Sequence, residues 1–354
     1  MSKKREIFWS FLAKGFCNLK NELFKSEIKL IVKGGVSMWL PFLYLGLGIL
    51  IGFFKMKWLE KFFAKLIYIA LVVVMMVIGA NIGIDQGLIK NIGWIGLKAA
   101  GLALGVVGFS VLYSVLLERT IVPLDKMIEA LDGEKESLDK DTEKSEKKGI
   151  SLFTLCIPLY VLGGVGFGYF LISPEYAKFL GGLMTGSLIV VYVGIGVSIG
   201  SDLSVFRYLY LLGWRVLLFT IAIIAGSLTG ALVMTPLLSI PWSTGILSAI
   251  GMSYFTLTGA FMTQNFGTEA GVYGFLVNVF RDFITVLLLP LLVRLGKSAP
   301  IAGAAAGSMD ILLLPVTRTI GSKLGLVAFI TGTIIVLIVP FLLPLFSEAL
   351  KLFS

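Results

Sequence analysis

Residues 79–85 read GANIGID and residues 196–202 read GVSIGSD; each closes a long apolar run, and the two lie 117 residues apart. Extended backwards without a gap, 41–85 aligns on 158–202 with fifteen identities in forty-five positions. Among them are Pro41/Pro158, Gly46/Gly163, Phe53/Phe170, Lys61/Lys178, Gly79/Gly196, Gly83/Gly200 and Asp85/Asp202. Apolar bias produces chance matches among Leu, Ile and Val. It does not readily match Pro, Lys and Asp in one register, so the chain carries an internal duplication. The apolar runs 36–54, 62–84 and 92–117 belong to the first copy, and 150–172, 179–200 and 211–234 to the second. Three helices per copy is an odd number, so the second copy is expected inverted in the membrane relative to the first.

The composition agrees. With 57% hydrophobic and 14% charged residues, 41 glycines and a mean hydropathy of +0.96, the 354-residue chain excludes a soluble globule. The expected fold class is an all-α polytopic membrane protein. Two further runs, 272–293 and 326–346, bring the spanning helices to about eight. The stretches 245–262 and 301–316 are shorter, or richer in Ser, Thr, Gly and Ala, and are read as two re-entrant segments. Open backbone at membrane depth is tolerated where it lines a cavity, so they are also binding-site candidates. The alternative is that both are ordinary spanning helices, rich in small residues for close packing.

Charge sets the expected orientation. If the loop after the first helix faces the cytoplasm, seventeen loop cations share its side and only Lys90, Lys98, Lys178 and Lys351 lie opposite. The net charge of +9 is therefore read as orientation beside a lipid bilayer and not as nucleic-acid binding. The expected domains are an amphipathic tail over 1–35, the first repeat over 36–117 and a charged cytoplasmic linker over 118–149. The second repeat follows over 150–240, and a transport core of two re-entrant segment plus helix units fills 241–354. The tail carries eight cations on the side opposite the other loops, a conflict that the loop charges outweigh.

The chain has no histidine, and its two cysteines, Cys17 and Cys156, lie in separate segments without metal-ligand spacing. No metal site, cofactor or disulfide framework is expected, and any proton carrier in the membrane must be Asp, Glu, Tyr or Lys. No nucleophile and base pair stands out, so an enzyme is not expected. Asp282 lies ten residues into the 272–293 run, about 15 Å deep and so near the bilayer midplane. An ionisable group there is a functional hypothesis. Asn278 precedes it by one turn on the same face, and Arg281 points about 100° away. Asp85 reads either as a helix cap or, with Gly79 and Gly83 allowing close packing, as a carboxylate facing a cavity. Asp202 repeats it beside Arg207. In the first re-entrant segment Ser253, Tyr254, Thr256 and Thr258 offer hydroxyls, and in the second Asp310 brings another carboxylate into the membrane zone.

At these residues the chain resembles the LysO-type lysine exporters of bacteria and archaea. GMSYFTLTGAFMTQNFG over 251–267 is similar to that family's Tyr-Ser-Leu-Ser-Gly stretch, NVFRDFITVLLLP over 278–290 to its Arg-acidic helix, and SMDILLLP over 308–315 completes the likeness. Phe255, Thr256 and Thr258 stand where Tyr, Ser and Ser are more usual, and Asp282 stands where some members carry Glu. The resemblance implies export of L-lysine across the inner membrane of a prokaryote, with Asp282 and Asp85 as essential acids. Lysine carries two ammonium groups and one carboxylate, so Asp85 and Asp282 suit the former and open amides near Ser253–Thr258 the latter. Outward movement of a net cation runs against about 2.3 kcal/mol per 100 mV of membrane potential, which makes protons the expected coupling ion. Asp202, Arg281 and Arg318 are expected in structural or gating roles, and a homo-oligomer stays open. A sodium or proton antiporter that does not handle amino acids is the rival reading.

Overall fold

The computed structural model describes residues 40–53, 57–121, 124, 152–172, 176–201 and 214–352. The expected tail over 1–35, most of the linker, and Asp202 with Arg207 lie outside the described residues. Among those described the fold is all-α, and 41–354 forms one compact unit. The stretch read as the first copy supplies α1 (Leu40–Gly52), α2 (Lys57–Ile84) and α3 (Gln86–Thr120). The second supplies α4 (Leu152–Leu171), α5 (Ala177–Ser201) and α6 (Trp214–Leu237). Then come α7 (Trp242–Ile250), α8 (Phe255–Phe266), α9 (Thr268–Leu295) and α10 (Ser298–Ala304), a 3-10 turn (Ala305–Met309), α11 (Leu313–Ile320) and α12 (Ser322–Leu352). Among the described residues, six helices are long and apolar enough to cross a membrane, and Leu40–Gly52 and Leu159–Leu171 are shorter apolar helices. The exposed faces carry large apolar side chains such as Leu43, Phe170, Phe179 and Leu287, as lipid contact demands.

Glycine decides how the copies meet. Gly79 and Gly83 of α2 lie on Gly164 and Gly168 of α4, and Gly196 and Gly200 of α5 lie on Gly48 and Gly52 of α1. A Cβ at Gly196 would stand 2.8 Å from Gly48 Cα, so these parallel pairs touch backbone to backbone. The motif glycines of each copy thus seat on the first helix of the other. The third helices pair differently: Gly226 of α6 meets Ser110 of α3 and Gly230 meets Val106, which makes α3 and α6 antiparallel. On this seam the Ser110 and Ser227 hydroxyls, 117 residues apart, are 3.0 Å from each other.

Contacts along α3 fix the course of the remaining chain. At the end of the bundle near Asp85, Lys98 Nζ donates to Ser239 O just before α7. At that same end Glu269 and Tyr273, just after α8, share a cleft with Asp85 and Lys98. The α7–α8 pair therefore enters and leaves at one end. Helix α9 crosses to the other, where Arg119 Nη2 donates to Leu295 O and Glu118 accepts from the backbone of Lys297 and Ser298. The α10–α11 pair starts there, and Val316 and Leu324 at its return share an apolar cluster with Leu124 and Val216. Two hairpins thus dip from opposite ends, and Ala306 N donates to Met252 O at their tips, 3.0 Å.

Candidate functional site

Each hairpin tip is an interrupted helix, and one face of α9 supports both. In the first, Met252 (φ 45°) and Ser253 (φ 76°) take left-handed backbone, which side-chain-bearing residues adopt only when their surroundings enforce it. Asn278 enforces it: Oδ1 accepts from Ser253 N at 2.7 Å, while Nδ2 donates to Ser248 O at 2.9 Å and Gly274 O at 2.7 Å. One amide side chain thus satisfies backbone groups on both sides of the break. Gly251 is required here, because a Cβ would collide with Thr258 Oγ1 and the Asn278 amide.

Arg281 does the same for the second hairpin. Its Nε donates to Gly303 O at 3.0 Å and Nη2 to Ala302 O at 2.9 Å, just before left-handed Ala305 (φ 46°). The other side of the guanidinium reaches the seam, with Nη1 to Ser227 Oγ at 2.9 Å and Nη2 to Ser110 Oγ at 3.3 Å. These four acceptors are neutral, so Arg281 is a brace and not the direct hydrogen-bonded partner of its neighbour in sequence. Ser308 completes the tip, its single hydroxyl proton shared between Ala305 O and Ala328 O.

Between the two tips sits Asp282, 8% exposed. Its Oδ1 is buried, and the buried Ser253 hydroxyl lies within hydrogen-bonding reach of the carboxylate without forming a well-shaped bond to it. Gly307 is what admits the carboxylate, since a Cβ there would lie 3.0 Å from Oδ1. Asp310, exposed at the end of the 3-10 turn, lies within electrostatic reach of both Asp282 and Tyr254. Helix α8 begins here without a side-chain cap, so its first amides and the positive end of its dipole face this region.

Asp282, Ser253, Tyr254, Asp310 and Asn278 are therefore drawn together. Thr256 is buried in the first turn of α8, and Thr258 Oγ1 donates to Tyr254 O at 2.8 Å, a local brace. Arg318 is exposed in the last turn of α11, away from the tips. Asp85 stands apart as the N-cap of α3, its Oδ1 accepting from Gly87 N at 3.0 Å and Leu88 N at 3.1 Å. Both capping bonds fall on Oδ1, which leaves Oδ2 outside the cap. The residue lines an open cleft of about 460 Å³ with Trp94, Lys98, Glu269 and Tyr273. Sequence reading passed over Ser110 and Ser227, although the 117-residue offset pairs them, and Tyr192, whose run of apolar neighbours hid it.

Helices long enough to cross a membrane, two broken hairpins and a buried carboxylate at their meeting point define a multi-pass membrane protein, all-helical among the described residues, with a polar site at its centre. The family described as Lysine exporter LysO matches residues 159–347, more than half of the chain, and this chain belongs to it. A relative, Lysine exporter LysO of Escherichia coli (strain K12), is 28% identical over 124 residues. That alignment takes in 35% of this chain and 41% of the relative, so the match spans less than half of either. No solved structure matches.

Proposed function

We propose that this protein exports L-lysine by proton antiport, with Asp282 as the carboxylate for which lysine and proton compete. One observation carries the reading: a buried carboxylate with the Ser253 hydroxyl beside it, held between two interrupted helices whose supporting side chains are already engaged. An ammonium group answers the carboxylate, and the uncapped amides at the start of α8 with the Ser253 hydroxyl answer an α-carboxylate. Asp282 and Asp310 with Arg281 sum to one negative charge when both acids are ionised, the complement of lysine's net positive one. A proton carried inward on the vacated carboxylate supplies the drive that outward movement of a cation requires.

Asp85 serves in this reading as a second station, where the cleft near Glu269, Trp94 and Tyr273 receives the ammonium group at one end of the path. The two copies are read as inverted repeats related about the Ser110–Ser227 contact, which supports alternating exposure of the tips. The decisive measurement is lysine counterflow in proteoliposomes with an imposed pH gradient. Wild-type protein should accumulate labelled lysine in response to the gradient, and Asp282→Asn should not. Gradient-driven uptake that persists in Asp282→Asn would remove the mechanism.

A further inference from the structure

Helix α5 forms a wall beside the first hairpin. Near the end marked by Asp85, Gln264 Nε2 of α8 donates to Thr185 Oγ1 of α5 at 2.9 Å. Seven residues further along α5, two turns and about 10 Å deeper on the same face, stands Tyr192. It is only 3% exposed, and its hydroxyl is buried without a hydrogen-bond partner. Tyr254, at the first break, lies within electrostatic reach of it.

Buried hydroxyls nearly always find a partner, so one left open beside a polar site calls for a reason. Packing in the main apolar core accounts for the ring and not for the hydroxyl. The 117-residue register places Tyr192 on Met75, a fully buried apolar side chain at the matching point of α2. Around the first tip the buried polar atoms that lack a well-formed hydrogen bond include Ser253 Oγ, Asp282 Oδ1 and Tyr192 Oη, the first two within reach of each other. Two are hydroxyl donors and one is a carboxylate acceptor, the complement of a molecule that carries both a carboxylate and an ammonium group.

We infer that Tyr192 is a specificity-determining residue, its hydroxyl donating to the α-carboxylate of the transported amino acid from the α5 side of the site. This rests on the lysine-export reading. It makes α5 one jaw and the first hairpin the other, with substrate required to bridge them. A ligand that has ammonium groups but no carboxylate gains nothing from Tyr192.

The test compares lysine with 1,5-diaminopentane, which keeps both amines and lacks the carboxylate, in wild type and Tyr192→Phe. In Tyr192→Phe the KM for lysine should rise about tenfold, the loss of one charge-assisted hydrogen bond, with the maximal rate retained. Inhibition by the diamine should be unchanged. Tyr192→Met, which installs the residue of the first copy, should give the same pattern. An unchanged lysine KM in a folded Tyr192→Phe overturns the assignment, as does equal weakening of both ligands, which marks a packing role. Absence of lysine flux in wild type removes the export reading and this inference together, whereas wild-type flux with an unaltered Tyr192→Phe removes only the inference.

Discussion

The helices contributed early by the two copies and the hairpins that follow them solve the same problem in opposite ways. Helices α1, α2, α4 and α5 approach through bare glycine, backbone on backbone. The hairpins meet through polar side chains, Asn278 and Arg281, that reach out to open backbone. The first solution stores nothing that a ligand could use. The second leaves Ser253 and Asp282 with little more than each other at the point where the supports end. Rigidity and recognition are thus assigned to different parts of one chain.

The contrast breaks most completely at Gly196. Replacement by Leu forces a side chain into the α1 backbone, and no monodisperse protein should be recovered by size-exclusion chromatography. Arg281→Ala is next: four acceptors lose their donor, and unfolding in detergent should show a loss of about 3–5 kcal/mol, with Arg281→Lys restoring only part because an ammonium cannot fork between carbonyls and hydroxyls. Asn278→Ala strands Ser253 N and Ser248 O and should cost about 1–3 kcal/mol in the same assay, with lysine transport lost beyond what the fall in folded protein explains. Smallest in stability is Asp85. Asn caps as well as Asp, so Asp85→Asn should unfold with wild-type protein, whereas Asp85→Ala should lose about 1 kcal/mol. If the cleft carboxylate takes part in transport, Asp85→Asn should lower lysine flux without moving the unfolding transition, and equal flux would confine Asp85 to its cap.

Much of this was legible beforehand because it depends on periodicity and spacing. Eight apolar runs correspond to eight apolar helices, and the weakly apolar stretches around 245–262 and 301–316 are the interrupted ones. Their interruption followed from Ser, Gly and Ala in place of Leu and Ile. The place of Asp282 midway along α9 followed from counting residues along its run. What stayed hidden was partnership across the chain. Arg281 and Asp282 are neighbours in sequence with nearly opposite duties, and only the packing of α3 and α6 against α9 says why one is a brace and the other is open. The two alternatives for Asp85 were both stated from sequence, and the capping bonds establish the first of them while the cleft leaves room for the second.

The hydrogen bond from Ala306 N to Met252 O joins the hairpins main chain to main chain. No side chain takes part in it, so it survives almost any substitution at either position, and an alanine scan is blind to it. Only proline at 306, which has no N–H to give, would cut it. The residues around the tips can therefore be retuned freely without uncoupling one hairpin from the other, because the linkage between them is written in backbone alone.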